Sequence, residues 1–171
     1  MAVASENATV APLNSDQRLS LQCEEISTDT STIRCLDWDR SRFDIEFGLR
    51  NGTTYNSYLI RGAKTALVDT SHLKFKDTWL QLLKQQIEPT AIDYLIVSHT
   101  EPDHSGLVGE IIDLNPEIEI LASKVALQFL QDQGEMEGEG WILSEINTDL
   151  IFGTDNANKW LKAINNSFIR L

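Results

Sequence analysis

The sequence predicts a mixed α/β (α+β) fold, in which helices pack on a sheet of both parallel and antiparallel strands. Between residues 65 and 130, short apolar runs alternate with stretches of helical apolar spacing, which indicates strand–helix–strand units. The preceding residues show the period-two pattern of antiparallel strands. The length of 171 residues, with 42% hydrophobic and 23% charged residues, is typical of a globular domain, alone or joined to a fragment.

The antiparallel strands are expected first along the chain. Alternation of apolar and polar residues predicts a hairpin over 19–38 that turns at 27–31, and a half-buried strand over 43–48 that ends at Gly48. Two further strands are predicted at 55–60 and 65–69. The last two strands are joined through Gly62.

Helices and further strands alternate from Phe75 onwards. A helix is predicted over about 75–87, with one face formed by Phe75, Trp79, Leu80, Leu83 and Ile87. Pro89 ends it. Strands follow at 92–98 and 118–121, and helices begin near Ser105 and Ser123. Beyond Leu130, the runs 141–146 and 149–152 have strand-like character, and 154–171 has helical spacing.

The candidate functional residues lie directly after the apolar run 94–97. Two imidazoles and two carboxylates occupy six positions there: His99, Glu101, Asp103 and His104. Pro102 disfavours helical backbone at Glu101, so we expect a loop, followed by a helix with Ser105 as its N-cap.

These residue types are metal ligands. Carboxylates and imidazoles suit iron or manganese at least as well as zinc, and no thiolate is near. Two ions are predicted, with His99 and Glu101 on one and Asp103 and His104 on the other. The alternative is a polar loop in which Asp103 and Ser105 cap a helix and the histidines are solvated.

Other polar residues have two interpretations each. Asp69 ends its strand and is predicted to hydrogen-bond the ligand loop, residues 99–104, without binding metal itself. The alternative is that Asp69 lies in a surface turn. His72 is interpreted as a surface or helix-capping residue, with a metal ligand as the alternative. Cys23 and Cys35 are expected to be reduced thiols rather than a disulfide, since no export signal is seen.

Charge and hydropathy exclude several classes of partner. A net charge of −12 and a pI near 4.5 argue against nucleic acid and anionic membrane surfaces. No apolar run reaches the length of a membrane span. Residues 1–18 read as a flexible leader without a secretory signal, so we expect a cytoplasmic protein.

The ligand cluster also resembles a known family. Metallo-β-lactamase-like proteins carry the motif HxHxDH, and this chain has Glu101 at the middle histidine, which is the mark of the flavodiiron proteins. Five stretches are similar to the cyanobacterial diflavin flavoprotein branch of that family: 36–40, 43–48, 52–60, 65–70 and 123–127. The resemblance implies a metallo-β-lactamase-like αββα sandwich, of which residues 19–130 are the N-terminal part of the di-iron domain and residues 131–171 a divergent tail.

The resemblance further implies an oxidoreductase whose intact members reduce dioxygen to water, or nitric oxide, at a di-iron centre with electrons from NAD(P)H through FMN. The family takes two more histidines and a bridging aspartate from downstream sequence, and no histidine follows His104 here. We therefore expect a truncated chain that binds no FMN, is inactive alone and folds loosely. Five apolar side chains are expected to be partly exposed: Leu67, Leu95, Val97, Ile111 and Ile120.

Two other functions stay open. The first is a metallo-β-lactamase-like hydrolase that uses a metal-bound hydroxide, against which Glu101 argues. The second is a non-catalytic remnant that forms a homo- or hetero-oligomer with an intact paralogue.

Overall fold

The computed structural model describes residues 19–43, 47–132 and 142–145. A seven-stranded mixed sheet runs through them in the order β1-β2-β5-β6-β7-β8-β9. Its strands are β1 (Leu19–Ser27), β2 (Thr30–Asp37), β5 (Thr53–Arg61), β6 (Thr65–Val68), β7 (Tyr94–Val97), β8 (Glu119–Ala122) and β9 (Ile142–Glu145). A separate pair consists of β3 (Arg42–Phe43) and β4 (Phe47–Gly48). The helices are α1 (Lys76–Gln86), α2 (Pro102–Ser105), α3 (Val108–Leu114) and α4 (Lys124–Asp132), with 3₁₀ turns at Leu73–Phe75 and Pro89–Ala91.

The predicted mixed sheet is confirmed. Strands β1, β2, β5 and β6 pair antiparallel, whereas β6, β7, β8 and β9 pair parallel. The hairpin β1–β2 turns tightly at residues 28–29. Strands β6 and β7 are parallel neighbours, so the chain has to cross back between them, and helix α1 lies in this crossover connection. Ile142–Glu145 adds the last described strand to this parallel side.

The strand predicted over 43–48 is not continuous. Phe43 pairs with Phe47 and Arg42 with Gly48, so the chain reverses within this stretch. Residues 44–46, which include the predicted strand residue Ile45, lie outside the described residues, as do 149–152 and 154–171. Alternation over six residues fits a short hairpin as well as one strand, and only the pairing partner distinguishes the two.

The main core lies between the sheet and helices α1 and α3. Phe75, Trp79 and Leu83 come from the first helical segment and pack against side chains of alternate strand positions. The prediction of partly exposed apolar faces is wrong, because five side chains in this core are at most 1% exposed: Leu67, Leu95, Val97, Ile111 and Ile120. Helices within the chain itself cover this face of the sheet.

The opposite face of the sheet carries a smaller buried cluster. It contains Tyr58, Ala66, Val68, Ile96 and Leu121, which alternate along their strands with residues of the main core. Strands with both faces buried explain why 94–97 is a continuous apolar run rather than an alternating one. None of the described helices is long and apolar enough to cross a membrane.

Candidate metal centre

Asp69 and the ligand loop meet at the carboxyl ends of β6 and β7, the edge at which open α/β sheets place their sites. Asp69 directly follows β6 and is buried, with a φ of 55° that non-glycine residues adopt uncommonly. Its backbone N–H donates to the Ile96 carbonyl at 2.8 Å. This bond and the side-chain contacts together stabilise the unusual backbone angle.

The Asp69 carboxylate accepts three hydrogen bonds from the segment that follows β7. The backbone N–H of Ser98 donates to Oδ1 at 2.7 Å, and the Ser98 hydroxyl donates to Oδ2. His104 Nδ1 lies 2.9 Å from Oδ2. Because the carboxylate accepts a hydrogen bond from Nδ1–H, the neutral ring has an unprotonated Nε2, which can bind a metal ion. The hydrogen bond to Asp69 raises the pKa of His104, while burial acts in the opposite direction.

The ligand loop contains a one-turn helix that the sequence did not predict. Pro102 is its first residue and Glu101 its extended N-cap, with φ −70° and ψ 149°. A proline is tolerated at the first helical position because its missing N–H has no partner there. Ser105 is not an N-cap, since its hydroxyl donates back to the carbonyls of Thr100 and Glu101 at 3.1 and 3.2 Å. Asp103 and His104 therefore project from a helical turn.

The four predicted ligands lie as two imidazole–carboxylate pairs. His99 Nε2 lies 3.7 Å from Glu101 Oε1, and His104 Nε2 lies 3.7 Å from Asp103 Oδ2. The two imidazole rings stack with centroids 5.6 Å apart. Among the described residues, no three His, Cys, Asp or Glu side chains converge on one point that could hold a metal.

Thr70 holds the ligand helix, which is α2 with Asp103 and His104, in place. The sequence analysis did not identify Thr70. Its N–H and hydroxyl both donate to the His104 carbonyl, at 2.7 and 2.8 Å, and its Oγ1 accepts from the Leu107 N–H at 3.1 Å. The Thr70 carbonyl accepts from Ser57 Oγ at 2.7 Å, and Ser57 accepts from Trp79 Nε1 at 3.0 Å. A hydrogen-bonded chain thus connects the core tryptophan to the backbone of a candidate ligand.

Gly106 permits this close approach. A Cβ at this position would lie 2.4 Å from the Pro102 carbonyl oxygen and 2.9 Å from that of Ser71. Both distances are shorter than a methyl group can tolerate against backbone, so any side chain here would separate the ligand helix from the segment after β6.

His72 and the cysteines have structural roles in the described residues. His72 Nδ1 accepts from the Lys74 N–H at 3.2 Å and so caps the 3₁₀ turn, while its ring stacks on Tyr55 at 5.9 Å. Burial, with the neighbouring Lys74 and Arg40 cations, lowers the pKa of His72. Cys23 and Cys35 are free, and burial raises the pKa of the Cys35 thiol to about 12, which keeps it protonated and unreactive.

The chemistry of the donor set fits a pair of hard or borderline divalent ions. Each pair offers one imidazole and one carboxylate, and Asp69 supports His104 in the arrangement in which metal-binding histidines are usually found. Two side chains per ion are fewer than such ions take from a protein, so further ligands have to come from other residues.

Comparison with known proteins places this arrangement in a family. The profile of the ODP family beta lactamase group matches residues 53–169. Diflavin flavoprotein A 1 of Synechocystis sp. is 64% identical over 121 residues, which are 71% of this chain and 21% of that protein. The flavo-diiron protein FprA2 of Clostridium acetobutylicum is 42% identical over 90 residues, 53% of this chain and 22% of that protein.

A solved structure agrees with the sequence comparison. The metal-soaked Flv1 flavodiiron core from Synechocystis sp. has a TM-score of 0.68 and 31% identity, over 75% of this chain and 32% of that one. The chain spans about one fifth of the length of the curated relatives it matches. A metallo-β-lactamase-like sheet with the sequence HxExDH at its edge, and this identity to diflavin flavoproteins, show that the chain belongs to the ODP family of beta-lactamase-like proteins, among the flavodiiron proteins.

Proposed function

We propose that this chain supplies His99, Glu101, Asp103 and His104 to the di-iron centre of a flavodiiron oxidoreductase. The observation that carries the proposal is the pairing of each imidazole with a carboxylate, at 3.7 Å in both cases, next to a buried aspartate on His104. The reaction proposed for the intact protein is the reduction of dioxygen to water, or of nitric oxide, with electrons that pass from NAD(P)H through FMN.

Each residue has a defined task in this proposal. Iron, when bound, supplies the one-electron redox chemistry that protein side chains lack. His104 offers Nε2 because Asp69 holds the proton on Nδ1. Asp103 and Glu101 supply anionic oxygens, which favour a harder ion than an all-imidazole set would. Thr70 keeps the backbone of His104 against the end of β6.

The flavin and nicotinamide steps are assigned to other parts of an intact protein. The described residues contain no glycine-rich turn between a strand and a helix of the kind that cradles the phosphates of a dinucleotide. In this proposal the described part of the chain contributes metal ligands, and the electrons come from elsewhere in an intact protein. We expect purified chain to show no flavin absorbance and no NAD(P)H-dependent oxygen uptake above buffer.

Iron reconstitution of the full 171-residue chain tests the metal centre. The chain is loaded anaerobically with ferrous iron, desalted and analysed for iron per chain. We expect iron to be retained by the wild type and by Asp93→Asn, which changes a carboxylate far from the cluster, and to be lost in Asp103→Asn. Equal iron in both variants would show that Asp103 is not a ligand and would refute the proposed centre.

A second function is favoured by the ligand count. Two side chains per ion make a centre that other residues have to complete, so the chain is also a candidate non-catalytic partner of an intact paralogue. Co-purification of a tagged chain with a co-expressed full-length flavodiiron protein tests this. Elution of each protein alone would exclude it.

A further inference from the structure

We propose that the two halves of the candidate centre bind metal unequally, with the first ion held by Asp103 and His104 and the second, more weakly, by His99 and Glu101. The inference rests on the proposed function, since it concerns the same ligands. It adds an order of loading, which follows from how differently the two imidazoles are supported.

His104 is fixed before any metal arrives. Its ring donates through Nδ1 to Asp69, and both oxygens of that carboxylate are already engaged by Ser98. Its carbonyl accepts two hydrogen bonds from Thr70. The ring therefore loses little conformational freedom on binding, and its unprotonated Nε2 already faces the Asp103 carboxylate.

The His99 ring accepts a hydrogen bond at Nδ1, whereas the His104 ring donates one there. His99 Nδ1 accepts from the Glu101 N–H at 3.1 Å, so the proton of the neutral ring is on Nε2, the atom that faces Glu101 Oε1. Ligation through Nε2 requires this proton to leave that atom, and ligation through Nδ1 requires the bond to Glu101 N–H to break. The His99 and Glu101 side chains are also 56% and 46% exposed, against 34% and 14% for His104 and Asp103. Solvated side chains are ordered at an entropic cost.

Asp69→Asn is the informative variant because it changes the tautomer of His104 while leaving the shape of the side chain. Asparagine tolerates the φ of 55°. The Ser98 N–H must face an acceptor, which turns the Asn oxygen towards it and the NH₂ group towards His104 Nδ1. The proton of His104 then moves to Nε2, as in the serine protease triad after a comparable Asp-to-Asn change, and this tautomer disfavours ligation through Nε2.

The experiment titrates metal-free full-length chain anaerobically with ferrous iron in equilibrium dialysis, and in parallel with Mn²⁺ followed by electron paramagnetic resonance, which distinguishes isolated from coupled ions. We expect one ion to bind first and to give an isolated-Mn²⁺ spectrum at one equivalent. His99→Ala should keep this ion and lose the second. Asp69→Asn should weaken the first ion by about 10–100-fold, the usual effect of removing such a partner. Asp93→Asn is the matched control and should not change either ion.

The outcomes separate the inference from the proposed function. Two ions that bind with equal affinity, or loss of the first ion in His99→Ala with retention in Asp69→Asn, would overturn the order of loading and leave the centre itself in place. Absence of binding by the wild type at millimolar metal would refute both the centre and the order. A circular dichroism spectrum of Asp69→Asn equal to that of the wild type would confirm that lost binding does not reflect unfolding.

Discussion

Strands β6 and β7 are joined at both ends by an aspartate, and the two ends differ. At the amino end, Asp93 precedes β7, accepts from the Thr65 N–H at 2.7 Å and pairs with Lys64 at 2.6 Å. At the carboxyl end, Asp69 follows β6 and binds Ser98 and His104. The Asp93 side chain is 30% exposed and that of Asp69 is 7% exposed.

The two aspartates differ in what the second carboxylate oxygen binds, and this separates a purely structural contact from part of a site. Both carboxylates bind a backbone N–H of the neighbouring strand segment, so both hold two parallel strands in register. Asp93 uses its second oxygen on a solvated lysine, a pair of small energetic value. Asp69 uses its second oxygen on a half-buried imidazole, where the low dielectric strengthens the bond and fixes the tautomer. Four predictions test this comparison.

The largest expected effect is on stability. Asp69→Ala removes three hydrogen bonds to a buried carboxylate and leaves a methyl side chain at a positive φ, so we expect a loss of about 3 kcal/mol in the free energy of unfolding. Asp93→Ala should cost about 1 kcal/mol or less, since its lysine remains solvated. Urea denaturation followed by circular dichroism measures both. Equal losses would show that the two ends are energetically alike.

The next largest effect is expected from replacing a glycine at each end of the two strands. Gly106→Ala puts a methyl group against two backbone carbonyls, which should cost about 1–3 kcal/mol and loosen the ligand helix. Gly62→Ala, in the β5–β6 turn at the amino end, meets only the Lys64 carbonyl at 3.4 Å and should stay within about 0.5 kcal/mol of the wild type. Urea midpoints of the two variants provide the test. A neutral Gly106→Ala would contradict the tight packing inferred at the carboxyl end.

The two ends should respond to pH in opposite directions in metal-free protein. Hydrogen bonding to Asp69 raises the pKa of His104, so its stabilising contribution is complete below the ordinary histidine value of about 6.5 and is lost as pH rises through the raised pKa. Lys64 and the Thr65 N–H lower the pKa of Asp93, so its contribution is present above the ordinary aspartate value of about 3.9 and is lost as pH falls through the lowered pKa.

Two variants test which residue causes the loss of stability at alkaline pH and which causes it at acid pH. His104→Gln should remove the decline in urea midpoint above neutral pH, and Asp93→Asn should reduce the decline at acid pH. An alkaline limb that survives in His104→Gln would show that another group causes it.

The smallest expected effect is on metal selectivity at the carboxyl end. Glu101→His replaces an anionic oxygen with imidazole and should raise the retained ratio of zinc to iron several-fold. Elemental analysis after identical anaerobic reconstitution with both metals measures the ratio, with Glu119→His on the adjacent strand β8 as a control for a surface histidine. An unchanged or lower zinc-to-iron ratio in Glu101→His would argue against a ligand role for Glu101.

Local patterns predicted much of the fold because its elements are encoded by nearby residues. The hairpin β1–β2, helix α1 and strands β5 to β8 follow from periodicity and turn residues, and each was predicted to within a few residues. The prediction of one strand over 43–48 was wrong because a short alternating run is compatible with one strand or two. The prediction of partly exposed apolar side chains was wrong because their burial depends on how α1 and α3 lie on the sheet. The spacing of apolar residues within each helix does not encode this placement.

The residues of the candidate centre could be named from the sequence alone, since His99, Glu101, Asp103 and His104 are neighbours along the chain and their chemistry is visible without a fold. How these residues are supported depends on the tertiary structure. Asp69 and Thr70 contact His104 across 35 and 34 residues, and Gly106 contacts Ser71. Such contacts leave no periodic signal, because they depend on the parallel register of β6 and β7, and a register is a property of paired strands rather than of either strand alone.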